Sequence, residues 1–130
     1  LMSLSLWVPL TDTDEANGCM YVLPKSGDGE VEGVLLPDKL DLLSARALPA
    51  RAGSVLGWPQ DLYHWGGRYS ATAQNPRLSL SLEFQNCSFH PLAEPLINAA
   101  QLPSFEERLA LIGSQFRKYR HIDPVLSEGK

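Results

Sequence analysis

One histidine has neighbours that suit a binding site. His64 lies in the stretch DLYHWGG (61–67), between two aromatic residues and just before a pair of glycines. An imidazole beside a flexible turn can ligate a metal ion at the mouth of a pocket. A half-buried histidine that only makes a structural hydrogen bond fits the same neighbours. Both interpretations stay open from this segment alone.

Arg77 and Ser79 form a second candidate site. They lie two residues apart in a predicted strand, so their side chains emerge on the same face. A guanidinium beside a hydroxyl can clamp a carboxylate, with two parallel hydrogen bonds from arginine and a third from serine. An ordinary solvated strand face shows the same alternation. The pair by itself therefore does not decide between the two.

A third pattern, His121-Ile122-Asp123, matches the His-x-Asp spacing of iron sites built on strands. It follows a basic helical segment and directly precedes Pro124, so we interpret it as a helix end and turn. The sequence has no Ser-His-Asp order, glycine-rich phosphate loop or Cys-x-x-Cys motif. Hydrolase, kinase and thiol-redox functions therefore have no support.

Alternation of period two predicts the strands that would position these residues. Residues 77–85 read RLSLSLEFQ, with apolar residues at even positions and polar residues at odd ones. Residues 2–8 alternate in the same way, which predicts a buried apolar face with Trp7 on the other side; the apolar residues are Met2, Leu4, Leu6 and Val8. Two shorter apolar runs, 19–23 and 53–58, also predict strands.

The remainder of the chain contains turns and one helix. Ser104 and Glu107 form a capping box, and apolar residues then recur at helical spacing as far as Tyr119. We expect this amphipathic helix to pack across the outside of a sheet. Three stretches predict irregular chain: the turn-rich 11–18 ending in Asn17-Gly18, the polar loop 25–32, and 34–52 with one short helix.

Composition narrows the class of protein. The 130 residues are 44% hydrophobic and 20% charged, which fits one globular domain. The net charge is -4 without a basic stripe, so we expect no nucleic-acid partner. Apolar stretches are too short to span a bilayer. Cys19 and Cys87 form no disulfide framework and are interpreted as buried thiols in a reducing compartment, which predicts a cytoplasmic protein.

Several segments together resemble the phytanoyl-CoA dioxygenase family. The segments WVPLTD (7–12), EANGCM (15–20) and VLPKS (22–26) resemble the middle of such proteins. The later segments GSVLGW (53–58), HWGG (64–67) and RLS (77–79) resemble their second half. The order matches over residues 1 to about 85, and the helix near 103–119 resembles the family's C-terminal end.

This resemblance implies a non-haem iron(II), 2-oxoglutarate-dependent dioxygenase that uses O2 to hydroxylate a small organic substrate. It implies a double-stranded β-helix, or jelly roll, holding iron at one open end. His64 matches the distal histidine ligand of iron. Arg77 and Ser79 match the residues that bind the far carboxylate of 2-oxoglutarate, and Trp7 matches a tryptophan bordering that cosubstrate. We expect residues 1–93 to be the C-terminal part of a jelly roll and residues 94–130 its helical extension.

The sequence departs from the family pattern at two places. The family's His-x-Asp iron ligands lie upstream of the Trp7 strand, and this chain begins within that strand pattern, so we expect a fragment of the enzyme. Pro24-Lys25-Ser26-Gly27 stands where the family commonly has Pro-Gly-Ser-His. Because one imidazole is too few ligands for iron, we expect the chain alone to be inactive.

Two other functions remain open. The chain could be a truncated, inactive jelly roll that acts as a binding or assembly module. Unpaired strand edges would then pair between chains, so we expect the isolated chain to form a dimer or larger oligomers. A cupin-like metal protein is a third interpretation, but such sites need more clustered histidines. The sequence does not identify the substrate.

Overall fold

The computed structural model describes residues 2–31, 34–98 and 100–120. Within these residues it contains eight β-strands and one α-helix. The strands are β1 (Ser3–Pro9), β2 (Met20–Val22), β3 (Glu30–Val31), β4 (Val34–Leu35), β5 (Arg46–Leu48), β6 (Leu56–Pro59), β7 (His64–Gly66) and β8 (Ser79–Gln85), and the helix is α1 (Phe105–Tyr119). The prediction of a mainly β chain with a C-terminal helix is confirmed.

The chain divides into two compact units, Leu1–His90 and Pro91–Lys130. The first unit contains all eight strands. They form two three-stranded antiparallel sheets and a two-stranded ribbon. The first sheet has the order β6-β1-β8, the second has the order β5-β2-β7, and the ribbon pairs β3 with β4.

The two faces of β1 are not buried as predicted. Ser3, Ser5, Trp7 and Pro9 are the buried residues, whereas the alternate apolar residues are only half-buried. The prediction of a buried apolar face is therefore wrong. The reason is that Trp7 points towards the second sheet, and the serines follow Trp7 onto the same face because side chains alternate along a strand.

A small core joins the first sheet to the second. Trp7 of β1, Trp58 of β6 and Met20 of β2 are all buried and contact one another, with Leu56 and Leu62 packed against them. These large side chains form the apolar contact between the two sheets. The polar faces of β1 and β8 continue on this same side of the first sheet, because the paired residues Ser5 and Glu83 lie directly opposite each other.

The opposite face of the first sheet is apolar, and the described residues of the first unit leave it partly exposed. Cross-strand pairs Leu4–Phe84, Leu6–Leu82 and Val8–Leu80 line it. On β8 these side chains are about half exposed, with Leu82 at 43%. The regular pattern of β8 therefore predicts the strand correctly, although neither of its faces is closed off by the described residues.

Short strands escaped prediction. The stretches predicted as irregular chain contain β3, β4, β5 and three short 3-10 turns, Lys25–Gly27, Pro37–Lys39 and Leu42–Ser44. A strand of two or three residues is too short to display a period of two, so its pairing is set by distant partners. The turn before β2 follows its local signal: Gly18 has φ 85°, and the Asn17 amide donates to the Asp12 carbonyl at 2.8 Å.

The second unit is built around α1. The Ser104 hydroxyl accepts a hydrogen bond from the backbone N–H of Glu107, whose carboxylate accepts one from the Ser104 N–H at 2.7 Å. The predicted capping box is therefore confirmed. Hydrogen bonding to Ser104 lowers the pKa of the Glu107 carboxyl. That α1 packs across a sheet stays a prediction.

The cysteines differ in environment, although both are free thiols. Cys19 is fully buried, as predicted, whereas Cys87 is exposed at the end of β8, so that part of the prediction is wrong. Along residues 2–31, 34–98 and 100–120, no helix combines the length and apolar character that crossing a bilayer requires.

Candidate functional site

The guanidinium of Arg77 lies against the turn before β2 and against β7. Its Nη1 donates a hydrogen bond to the carbonyl of Gly18. A Cβ placed on Gly66 would come within 2.5 Å of the same nitrogen. Arg77 therefore occupies the space next to Gly66 that a larger residue would fill, and the absence of a side chain at position 66 makes this approach possible.

His64 is held in a defined orientation at the start of β7. It pairs with Val22 of β2, and its ring lies 4.7 Å from the Trp58 ring at a 43° tilt. Nδ1 of His64 is 2.8 Å from the Leu62 carbonyl oxygen. Because a carbonyl can only accept, Nδ1 carries a proton, so in the neutral imidazole Nε2 is the nitrogen with the lone pair. A histidine with one ring nitrogen fixed by a carbonyl in this way suits metal ligation through the other.

His64 and Arg77 meet on one face of the second sheet. His64 and Gly66 are two residues apart on β7, so they share a face about 7 Å apart along the strand. Arg77 covers Gly66, and its guanidinium is therefore next to the imidazole-bearing face. Residues thirteen positions apart in sequence are thus brought to one side of one strand.

Ser79 and Trp7 lie on the inner face of the first sheet. Ser79 is the first residue of β8, opposite Pro9, and it is exposed. Arg77 lies two residues before β8 begins, so the prediction that Arg77 and Ser79 belong to one strand is wrong. Trp7 lies opposite Ser81 on the same face, but it is buried against Met20 and Trp58. Its side chain therefore belongs to the core between the two sheets and is not an open wall.

The charge of Arg77 is not neutralised by a neighbouring carboxylate. Among the described residues, no Asp or Glu oxygen lies within 4.0 Å of its guanidinium. The effect of Arg77 on the neighbouring Cys19 is minor: burial raises the pKa of the thiol, and Glu15 and Asp14 raise it further, while Arg77 only lowers it slightly. A cation without a carboxylate partner is available to an anionic ligand.

An ion pair that the sequence did not point to fixes the turn before His64. The ammonium of Lys25 lies 3.0 Å from the carboxylate of Asp61 and donates to the Asp61 carbonyl at 3.0 Å. It also lies 3.3 Å from Asp28. Lys25 belongs to the segment Pro24-Lys25-Ser26-Gly27, which differs from the pattern described above. The lysine at this position contacts the turn that leads to β7. Gly18 and Gly66 were also missed, because no local signal links them to Arg77.

The described residues do not form a complete metal site. Residues 2–31, 34–98 and 100–120 contain no group of three His, Cys, Asp or Glu side chains that could hold a metal ion. Among the described residues, His64 is therefore not part of such a group. The His121-Ile122-Asp123 pattern lies outside the described residues, and its interpretation as a helix end stays a prediction. An iron ion does not fit the described part of the chain without further ligands.

Comparison with known proteins identifies the family. The family model of phytanoyl-CoA dioxygenase matches residues 2–77, more than half of the chain. The chain therefore belongs to the phytanoyl-CoA dioxygenase family. The match includes Trp7 and His64, ends at Arg77, and stops just before Ser79. No curated protein matches the sequence significantly.

Proposed function

We propose that this chain is the cosubstrate-binding part of a non-haem iron(II), 2-oxoglutarate-dependent dioxygenase that hydroxylates a small organic substrate. In this proposal the two sheets belong to a jelly roll, Arg77 and Ser79 bind the far carboxylate of 2-oxoglutarate, and His64 is an iron ligand. Trp7 forms the floor beneath the cosubstrate. The observation that carries the proposal is the position of the Arg77 guanidinium beside Gly66, on the face of β7 that also bears His64.

Electrostatics support the carboxylate end of this proposal. The Arg77 guanidinium has no carboxylate partner among the described residues and is held at the Gly18 carbonyl by one nitrogen. Its remaining N–H groups can form a bidentate pair with a carboxylate. The exposed hydroxyl of Ser79, two residues along the chain, can donate a third hydrogen bond. Such charge-assisted hydrogen bonds fix both the position and the orientation of a short dicarboxylic acid.

The metal end needs ligands beyond the described residues. His64 offers Nε2, and a single imidazole does not hold iron(II) in a site of the two-histidine, one-carboxylate type. When bound, iron(II) with 2-oxoglutarate would supply the oxygen-activating chemistry of the family. The chain contributes orientation: the Leu62 carbonyl holds the His64 tautomer, and the Lys25–Asp61 pair holds the preceding turn. We propose that the chain without additional ligands is inactive. The free thiols Cys19 and Cys87 support a cytoplasmic location.

Binding of 2-oxoglutarate to the chain tests the carboxylate site without any metal. We expect saturable shifts of the Arg77 Nε–H resonance in nuclear magnetic resonance (NMR) titrations with 2-oxoglutarate. The probe 2-oxovalerate keeps the 2-oxo acid group and lacks the far carboxylate, so it should bind at least about tenfold more weakly. Arg77→Ala should abolish the 2-oxoglutarate response, whereas the matched control Arg68→Ala should retain it. Equal binding of the two acids, or full binding by Arg77→Ala, would refute the assignment.

A second candidate function is that of a non-catalytic assembly module, possible because of the open first sheet. Among the described residues, β6 and β8 each pair with only one strand, and the apolar side of β1 and β8 is uncovered. Unpaired edges and apolar faces both favour association. We propose on this basis that the isolated chain forms homo-oligomers. Sedimentation of the chain at high concentration tests this, because a monomer would contradict it.

A further inference from the structure

Arg77 lies just outside the first sheet. The last residue of β1 is Pro9, and it pairs with Ser79, the first residue of β8. Arg77 is therefore two residues beyond the regular hydrogen bonds of this strand pair. An arginine has a long side chain that loses much conformational freedom when it is ordered. A defined position of the Arg77 guanidinium thus needs supports other than the pairing of β1 with β8.

The hydroxyl of Thr11 holds the backbone on both sides of Arg77. It donates a hydrogen bond to the Pro76 carbonyl at 2.8 Å and accepts one from the Leu78 N–H at 3.1 Å. A hydroxyl carries one proton and two lone pairs, so it can make both hydrogen bonds at once. The Leu10 N–H also donates to the Leu78 carbonyl at 2.8 Å. The half-buried Thr11 side chain therefore continues, at Arg77, the connection between the two strands.

The turn of residues 11–18 also holds the other end of Arg77. The carbonyl of Gly18, the last residue of this turn, accepts a hydrogen bond from Nη1 of the guanidinium. Within the turn, the buried side chain of Asn17 donates to the Asp12 carbonyl at 2.8 Å. Such side-chain to backbone hydrogen bonds stabilise a turn in one conformation. One turn thus contacts both the backbone and the guanidinium of the arginine.

We propose that Thr11 is a positioning residue for the cosubstrate, because it fixes the backbone at Arg77 and so orders the guanidinium before 2-oxoglutarate binds. Part of the entropy cost of ordering the arginine then falls on folding and not on binding, which strengthens binding. Thr11 acts through Arg77 and needs no contact with the ligand. That the ligand is 2-oxoglutarate rests on the proposed function, whereas the ordering of Arg77 by Thr11 does not.

The ligand-free chain tests the ordering of Arg77 directly. The heteronuclear Overhauser effect of the Arg77 Nε–H group, measured by NMR, reports its motion on the picosecond to nanosecond timescale. Thr11→Val keeps the shape of the side chain but removes the hydroxyl, so the Overhauser effect should drop clearly. Thr11→Ser keeps the hydroxyl and should restore the value of the unaltered chain. The control Thr13→Val removes a hydroxyl that donates to the Ala50 carbonyl at 3.2 Å, and it should change nothing at Arg77.

Titration of the same chains with 2-oxoglutarate, without metal, measures the consequence for binding. Thr11→Val should weaken the affinity about fivefold, because the guanidinium must then be ordered by the ligand. Thr11→Ser and the control Thr13→Val should bind like the unaltered chain. An unchanged affinity in Thr11→Val, or a loss that Thr11→Ser shares, would overturn the proposal.

Hydrogen exchange of the unaltered chain keeps the test decisive if Thr11→Val fails to fold. The Leu78 amide should exchange at least about tenfold more slowly than in an unstructured peptide, because the Thr11 hydroxyl accepts its hydrogen bond. An unprotected Leu78 amide, or an unchanged Overhauser effect in Thr11→Val, would refute the ordering of Arg77 by Thr11. If the unaltered chain orders Arg77 in this way but does not bind 2-oxoglutarate, it is the proposed function that fails.

Discussion

The guanidinium of Arg77 lies in the space beside Gly66 that any other residue's side chain would enter. A Cβ at position 66 would be 2.5 Å from Nη1 of Arg77, closer than real contacts allow. Gly66 is not in the left-handed region, so its backbone does not require glycine. Glycine is required instead because the Arg77 side chain occupies the space next to residue 66 of β7, beside His64.

Gly66→Ala should therefore displace Arg77 while leaving the fold intact. We expect 2-oxoglutarate binding to fall by about tenfold, because the guanidinium loses a charge-assisted contact. The melting temperature should change little, since the arginine tip is flexible and alanine restricts the unfolded chain. The control Gly113→Ala, in α1, should leave 2-oxoglutarate affinity unchanged. If Gly66→Ala binds 2-oxoglutarate with unaltered affinity, Arg77 does not bind the cosubstrate in the way proposed.

The Lys25–Asp61 pair predicts a pH-dependent stability difference. Its side-chain hydrogen bond to Lys25 lowers the pKa of the Asp61 carboxyl below its ordinary value of 3.8, so the carboxylate form stabilises the fold above that value. This contribution is lost as pH falls through the lowered pKa. Lys25→Met should lower the melting temperature at pH 7, because it removes this exposed, screened pair and also the contact of Lys25 with the buried carboxylate of Asp28.

Thermal unfolding at a series of pH values measures this effect. The difference between the unaltered chain and Lys25→Met should shrink as pH drops below about 3.8, and high salt should also reduce it. Lys39→Met, a control at a second exposed lysine, should show neither trend. A difference that grows in acid would contradict the role assigned to the pair.

The two thiols should differ strongly in reactivity. Cys87 is exposed, whereas burial raises the pKa of the Cys19 thiol and reduces its thiolate fraction. Iodoacetamide at pH 8 should therefore alkylate Cys87 at least about tenfold faster than Cys19. Peptide mass spectrometry over time measures both rates, and Cys87→Ser should remove the fast phase. Equal rates at the two residues would show that Cys19 is not protected as described.

The apolar side of the first sheet should drive self-association. Leu82 lies near the middle of this face and is 43% exposed. We expect Leu82→Lys to shift the chain towards monomer in sedimentation velocity, because a charge would have to be buried at the contact. Leu43→Lys changes a leucine that is 98% exposed and lies away from this face. It serves as a control that should not alter association. If the unaltered chain, Leu82→Lys and Leu43→Lys all oligomerise equally, this face does not mediate the association.

Regular patterns predicted the long elements but not which side of them is buried. The alternations that predict β1 and β8, and the Ser104 capping box of α1, are local signals that the structure follows. The buried face of β1 depends on where Trp7 finds Met20 and Trp58, which are distant in sequence. The alternation of apolar residues and serines in β1 therefore predicted the strand correctly but predicted the wrong side as the buried one.

The candidate site was partly predictable for a related reason. His64, Arg77 and Ser79 carry recognisable chemistry and stand in an order that resembles the family. The residues that position them carry no such signal. Gly18, Gly66 and Lys25 matter only because the fold brings them next to Arg77 and to the turn before His64. Such roles arise from pairing between distant segments, which one sequence without its partners does not display.

The most direct test of the central claim asks whether His64 and Arg77 act on one ligand. Mn(II), a paramagnetic substitute for iron(II), would be added to the chain with and without 2-oxoglutarate, and NMR line broadening would be mapped. We predict broadening centred on His64 and Gly66 that requires 2-oxoglutarate and is lost in both His64→Ala and Arg77→Ala, but is kept in His90→Ala. Broadening that ignores 2-oxoglutarate, or that persists around His64 in Arg77→Ala, would contradict the shared site.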